Sequence, residues 1–269
     1  MPEPVILITG ASAGIGAATA RLFGAMGYRV VLAARRQERL ETLAQEITAA
    51  GGEALPVPSD CGELGDVQSL VSRTLSAYGQ IDVLFNNAGF GRLDWLEQLD
   101  PVSDIAAQID VNLSGVIQMS RAVLPHMIER RAGHIINMSS IAGFIAAPTY
   151  SIYTATKYGV RGFTEALRRE VSIYGIRVSG LYPGGVDTEF SQHAGIRRTT
   201  GTTTPAALRL SSEQVAEAVL SLVRRPRREL IIPGVMRLAV WLNSLFPWLV
   251  DWGIEWSFTR KERASRASR

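Results

Sequence analysis

The chain has 269 residues, 46% of them hydrophobic, with 28 basic and 25 acidic groups and a formal net charge of +3. That is ample for one sizeable core and slightly large for a single doubly wound sheet, so one domain with an appendage is expected. Cys61 is the single cysteine, which excludes an internal disulfide, and His126, His134 and His193 lie far apart with no ligand-spaced Cys or carboxylate cluster, which argues against a metal.

The first element is an apolar, strand-like run, VILITG, beginning at about Val5. No charged stretch followed by an apolar one precedes it, so nothing directs secretion and a cytoplasmic protein is expected. The run leads into ASAGIG and then ATARLFGAMG, giving a strand, a glycine-rich turn and a helix in that order. Gly10, Gly14 and Gly16 would let backbone approach a pyrophosphate closely, while the helix N-terminus offers free N–H groups and a favourable dipole. A nucleotide phosphate is the natural ligand, although the spacing G-x-x-x-G-x-G differs from G-x-G-x-x-G.

Further apolar runs follow, YRVVLAA, EALPVP, DVLFNN, GHIINMSS, RVSGLYP and ELIIP, separated by amphipathic stretches such as RQERLETLAQEITAAG and DVQSLVSRTLSAYG. This alternation predicts an α/β fold, a parallel sheet with helices on both faces and right-handed crossovers. Ligands bind such sheets beyond the carboxyl ends of the strands. After the sixth run, GGVDTEFSQHAGIRRTTGTTTPAALRLSS lacks sustained periodicity and reads as a long loop, either a lid over the site or a plain connection.

Tyr153 and Lys157, in YSIYTATKYGV, stand four residues apart, which puts a phenol and an ammonium on one helix face. Lys157 is one of only two lysines beside 26 arginines, so the position selects a compact point charge on a flexible stem. Bringing a tyrosine from pKa ~10 to near neutrality requires about 4 kcal/mol. An ammonium about 4 Å away supplies a similar amount at an effective dielectric near 20.

With these residues in view, the first 233 positions or so resemble the classical short-chain dehydrogenases/reductases. Thr9 to Gly16 (TGASAGIG) is similar to the family's cofactor turn, and Asp60 follows the third strand. NNAG at Asn86 to Gly89 ends the fourth strand, and Asn112 lies in the next helix. Ser140 closes the fifth strand thirteen residues before Tyr153, and Pro183 to Thr188 (PGGVDT) follows the sixth. The resemblance implies a Rossmann-type, seven-stranded, doubly wound sheet over residues 1–233, and hydride exchange between a nicotinamide and a carbonyl carbon. It implies Asn112, Ser140, Tyr153 and Lys157 as catalytic residues. Tyr153 would donate the proton, Ser140 would hold the substrate oxygen, Lys157 would bind the nicotinamide ribose and acidify the phenol, and Asn112 would hold a water leading to solvent. Around the cofactor it implies Gly10, Ser12, Gly14, Ile15 and Gly16 at the phosphates, Asp60 at the adenine with Cys61 beside it, and Asn87, Ala88 and Gly89 along the adenosine and ribose. Pro183, Gly184, Val186 and Thr188 would stand near the nicotinamide.

At the end of the second strand Ala34 stands where the resemblance leads one to expect an acid, followed by Arg35 and Arg36. Guanidiniums can fork onto a 2′-phosphate, so NADP(H) is favoured over NAD(H), with Arg35 as the main contact and Arg36 in support. The stretch IAGFIAAPTYSIY with Phe90, Trp95, Tyr182 and Phe190 suggests an apolar wall, hence an apolar ketone, aldehyde or secondary alcohol as substrate. A 3-oxoacyl-type reductase of lipid metabolism is the alternative, weakened because such enzymes finish soon after the last strand. A non-catalytic NADP(H)-binding sensor or scaffold is the alternative of another class.

Residues 234–269 form the expected appendage, with four of the five tryptophans and a basic tail. The apolar stretch Leu238 to Val250 is too short to cross a bilayer and contains Pro247. Packing, on the pocket or on a neighbouring subunit of a dimer or tetramer, is favoured, with peripheral membrane contact as the second reading. Nucleic-acid binding lacks a basic groove with interleaved aromatics.

Overall fold

Each strand run alternates residues between two faces, and both faces are apolar, so the sheet needs a helical layer on either side. The computed structural model describes residues 3–190 and 205–267 and has this arrangement. The strands are β1 (Val5–Thr9), β2 (Arg29–Ala34), β3 (Glu53–Pro58), β4 (Val83–Asn86), β5 (His134–Met138), β6 (Arg177–Pro183) and β7 (Glu229–Ile232). All neighbours pair in parallel, in the order β3-β2-β1-β4-β5-β6-β7. The order reverses between β1 and β4, and the crevice at that switch point opens beyond their carboxyl ends.

Helices α1 (Gly14–Ala25), α2 (Gln37–Ala49) and α3 (Leu64–Tyr78) follow the first three strands. Between β4 and β5, π-helical turns at Pro101–Ala106 and Asp110–Ser114 lead into α4 (Gly115–Arg130). Helix α5 (Ser151–Val171) connects β5 to β6, and α6 (Ser212–Arg224) precedes β7. Ile6 and Ile8 of β1 enter the layer built by α1, α2 and α6, around Phe23, Leu40 and Val219. Val5 and Leu7, one residue out of phase, enter the opposite layer of α3, α4 and α5, around Leu70, Val123 and Leu167. The period-2 pattern thus fixes both the register and the position of the strand ends.

Beyond β7 the chain continues as α7 (Met236–Leu245), α8 (Pro247–Ile254), a π-helical turn (Glu255–Thr259) and α9 (Arg260–Ala267). Pro247 begins α8 at its first turn and breaks the apolar stretch into two helices. Among the described residues no helix is long and apolar enough to cross a membrane. The extension folds back on the domain: Met236 and Val240 pack on Phe144, Tyr182 and Ile231, and Asn243 Nδ2 donates to the Phe144 carbonyl at 3.1 Å. Farther on, the Arg263 guanidinium lies 3.7 Å above the Trp95 ring and pairs with Glu97. Of the long loop read after the sixth strand, residues 191–204, which include His193, lie outside the described residues.

One polar chain crosses the core. Asn86 Nδ2 donates to Asn137 Oδ1 (2.9 Å) and Ser120 Oγ (3.1 Å), and Asn137 Nδ2 donates to Thr164 Oγ1 (2.9 Å). It ties β4 and β5 to α4 and α5 just beneath the carboxyl edge. Asn137→Ala leaves donors and acceptors unpaired in the core, so urea unfolding should show a loss of about 2–4 kcal/mol; a loss under about 0.5 kcal/mol would mean that the chain contributes nothing.

Candidate active site

The turn after β1 can exist only with glycine at two points. Gly10 has φ of +67°, and a Cβ there would stand 2.8 Å from the Ala88 Cα; a Cβ on Gly16 would stand 2.3 Å from the Gly10 carbonyl. Backbone therefore touches backbone where β1 and β4 end. Asn87 Nδ2 donates to the carbonyls of Thr9 (2.9 Å) and Gly10 (3.2 Å), while the main-chain N–H groups of Asn87 and Ala88 both donate to Thr9 Oγ1 at 3.0 Å. The N-terminus of α1 has no side-chain cap, so its N–H groups remain for an anion. A glycine-lined turn, an uncapped helix start and a wall made by Asn87, Ala88 and Gly89 fit a dinucleotide's pyrophosphate and ribose.

The first two turns of α5 carry the other half of the site. Lys157 is only 4% exposed, and its Nζ donates to the Met138 carbonyl at 3.1 Å and lies 5.5 Å from the centroid of the Tyr153 ring. Burial pulls its ammonium down to about 8. Burial pushes the Tyr153 phenol up to about 12, against a hydrogen bond with Ser140 that lowers it. A Cβ on Gly89 would meet Asn112 Oδ1 at 3.1 Å and Lys157 Nζ at 3.5 Å, so glycine keeps the space before the ammonium clear.

Tyr153, Lys157, Ser140 and Asn112 thus converge at the carboxyl edge of β4, β5 and β6. Ser140 accepts from the Ala142 N–H at 3.2 Å and caps the short helical turn Ile141–Gly143. Asn112 sits in the π-helical turn Asp110–Ser114, where its amide clamps the Phe90 main chain, accepting from N–H at 2.9 Å and donating to C=O at 2.7 Å. The side chain is thereby a positioning group, a duty that the motif did not reveal. Pro183 and Gly184 end β6, with the Gly184 N–H donating to the Ile232 carbonyl; Val186 bridges to Leu210, and Thr188 approaches Gly14. Ser12 and Ile15 line the turn as half-buried residues.

At the far end of the groove the arrangement differs from the one expected. Arg35 is 72% exposed, its Nη1 3.6 Å from Asp60 Oδ2, while Arg36 reaches the glycine turn, donating to Ser12 Oγ through Nε (3.1 Å) and Nη2 (2.9 Å). Arg39, three residues later on α2, joins Arg36 through Glu189. Cys61 is buried and its thiol pushed up to about 12, chiefly by burial, so it is an inert wall. Tyr182 and Phe144 are buried against each other, rings 4.7 Å apart, and belong to the packing under α7 instead of a pocket wall. Trp95 is likewise buried, beneath Arg263. Phe190 does reach the site, its ring 5.5 Å from that of Tyr153. Ser139, whose Oγ donates to the Lys157 carbonyl at 2.9 Å, and Arg39 escaped the motif reading, and Thr9, which opens the glycine motif, was given no role of its own. A lone threonine ending an apolar strand and an arginine one helical turn after Arg36 were the available signals.

Known proteins similar to this chain identify its family and fold. Residues 4–198 match the family model described as short chain dehydrogenase. Over 282 aligned residues the chain is 33% identical to a Drosophila melanogaster protein named dehydrogenase/reductase SDR family protein 7-like, covering 100% of this chain and 84% of the relative. Among solved structures, an alcohol dehydrogenase from Thermococcus sibiricus complexed with 5-hydroxy-NADP aligns with a TM-score of 0.76 at 30% identity, covering 86% of this chain and 96% of that one. A short-chain dehydrogenase/reductase from Burkholderia phymatum in complex with NAD aligns with a TM-score of 0.82 at 27% identity, covering 90% and 93%. The chain belongs to the short-chain dehydrogenases/reductases. It is a Rossmann-fold oxidoreductase of that family, whose chemistry uses a nicotinamide cofactor.

The buried ammonium has a cost in stability that can be measured. Its pKa in the folded chain, about 8, lies below the ordinary 10.5. Charging it therefore opposes folding fully below pH 8, and the penalty disappears as pH rises toward 10.5, where the unfolded lysine also loses its proton. Lys157→Met should raise unfolding free energy at pH 7 by up to about 3 kcal/mol, a gain that shrinks at alkaline pH. A variant less stable at pH 7 than at alkaline pH, relative to wild type, would reverse the assigned sign.

Proposed function

We propose that this protein reduces an apolar ketone or aldehyde with NADPH, and runs the reverse oxidation of the secondary alcohol. The observation that carries the reading is the convergence of a half-buried phenol, a buried ammonium and a serine hydroxyl beside a glycine-lined dinucleotide groove. When bound there, the cofactor supplies the hydride to the carbonyl carbon.

The chain's own residues do the rest. The Tyr153 hydroxyl gives its proton to the substrate oxygen as negative charge develops on it, and Ser140, already bonded to that phenol, steadies the oxygen. A phenol near 12 is fully protonated at neutral pH but a reluctant donor. The Lys157 charge must favour the phenolate, and excluding water from around the pair strengthens that attraction. Lys157 also presents its ammonium to a ribose through the space that Gly89 leaves open. Asn112 holds Phe90 and the wall beside it, and any water relay to solvent starts there. Arg36 and Arg39 are the guanidiniums best placed for a 2′-phosphate, with Arg35 and Asp60 toward the adenine, which supports NADP(H) over NAD(H).

The extension contributes on two sides. Its inner surface braces the loop carrying Ser140 and the segment carrying Trp95. Its outer surface leaves Trp241, Trp248, Trp252 and Trp256 each at least 60% exposed, a patch that fits a second copy of the chain. Light scattering should find a dimer or larger that Trp248→Ser with Trp252→Ser weakens; a monomer that co-sediments with vesicles would favour the membrane instead.

Activity is tested by following NADPH consumption over apolar ketones, aldehydes and a 3-oxoacyl thioester. Tyr153→Phe should lower kcat about 100-fold or more while retaining NADPH binding. Wild-type reduction should fall as pH passes about 8, where Lys157 loses its charge. Equal rates for Tyr153→Phe and wild type on every active substrate would remove Tyr153 as proton donor, and binding without turnover throughout would favour the sensor.

A further inference from the structure

The short segment after β6 crosses the whole groove in three residues. Thr188 Cγ2 lies 3.3 Å from where a Cβ of Gly14 would be, over the glycine turn. Phe190 packs on the Tyr153 ring at 5.5 Å, and its ring atom lies 2.8 Å from a Cβ placed on Gly91. Between them, Glu189 bridges two arginines of α2. Its Oε2 accepts from Arg36 Nη1 at 3.2 Å, and Arg39 Nη1 donates to Oε1 at 2.8 Å and Oε2 at 3.1 Å. The two guanidiniums hold the carboxylate below the usual range.

A carboxylate spanning two forked cations presents much the same chemistry as a phosphate: acceptor oxygens with delocalised negative charge. Arg36 is also the arginine that touches Ser12 in the phosphate turn. We propose that Glu189 is an internal competitor for the 2′-phosphate, and that exchanging one anion for the other couples cofactor identity to the position of Phe190 over Tyr153. This inference rests on the assignment of Arg36 and Arg39 to the 2′-phosphate. NADP(H) replaces the carboxylate with its own phosphate and leaves both arginines paired. NAD(H) has no such group and leaves the clasp closed. Glu189 therefore lowers affinity for NADP(H), which must displace it, and not for NAD(H). Consecutive backbone links make the consequence reach the reacting end, because releasing Glu189 frees the residue whose ring packs, tilted, beside that of the proton donor.

Calorimetric titration of the full chain with 2′,5′-ADP and with 5′-ADP isolates the adenosine end from turnover. Wild type should prefer 2′,5′-ADP, and Arg39→Ala should weaken that ligand severalfold while changing 5′-ADP little. Glu189→Gln should tighten 2′,5′-ADP about two- to tenfold, an effect that fades with added salt because these side chains are partly exposed. In the Arg39→Ala background the gain from Glu189→Gln should shrink, since one of the two contested cations is gone. Quenching of a tryptophan introduced as Phe190→Trp should change on adding 2′,5′-ADP and not 5′-ADP, which reports the coupled movement. If wild type does not distinguish the two ligands, the 2′-phosphate assignment itself fails. If it does distinguish them while Glu189→Gln binds 2′,5′-ADP no more tightly than wild type, the competitor inference alone is overturned.

Discussion

The burial of the Lys157 ammonium is the constraint on which the rest of the site depends. A cation 4% exposed, whose one hydrogen-bond acceptor among the described residues is a main-chain carbonyl, is expensive to keep in a folded chain. The fold holds it there by surrounding it with groups that cannot easily be changed. Gly89 leaves room in front of it, Asn112 anchors the adjoining backbone, and Ser139 fixes the main chain of α5 from the strand below. An arginine could not occupy the same space, which explains why a chain of 26 arginines keeps lysine at this position.

Those supports all lie where strands end. Thr9, Asn87 and Ala88 join the tips of β1 and β4 through side-chain and main-chain bonds, and the polar chain from Asn86 to Thr164 locks β4 and β5 to α4, which follows the turn with Asn112, and to α5, which carries Tyr153. The groove is thus built on one hydrogen-bonded edge, and the segment through Thr188, Glu189 and Phe190 runs along it from the glycine turn to Tyr153.

Much of this was legible in the sequence. The period-2 strands and amphipathic helices gave the parallel sheet in chain order; the glycine turn and the Tyr153–Lys157 pair stood out by their short spacings, and Ser140 by the family resemblance, and the structure brings these residues to one sheet edge. Local spacing could not reveal which arginine faces the phosphate turn. Arg35 and Arg36 are adjacent, and only the direction in which α2 leaves β2 decides that Arg36 meets Ser12. Glu189 stands about 150 residues from its arginines, so no window of sequence brings them together. Tyr182 looked like a pocket residue because it is aromatic and near a motif, yet its position within β6 turns it into the core. The clamp of the Asn112 amide on Phe90 was likewise hidden, because it depends on the π-helical turn and a partner 22 residues away.

The central claim is that a buried ammonium makes the half-buried Tyr153 phenol acidic at the moment it is needed. Ultraviolet difference titration of wild type against Tyr153→Phe reads the Tyr153 phenolate directly. Without cofactor the phenolate should appear only as pH approaches about 12, and with saturating NADP⁺ it should appear several pH units lower, a shift lost in Lys157→Met. A phenolate that titrates at the same alkaline pH with and without NADP⁺ would contradict the account.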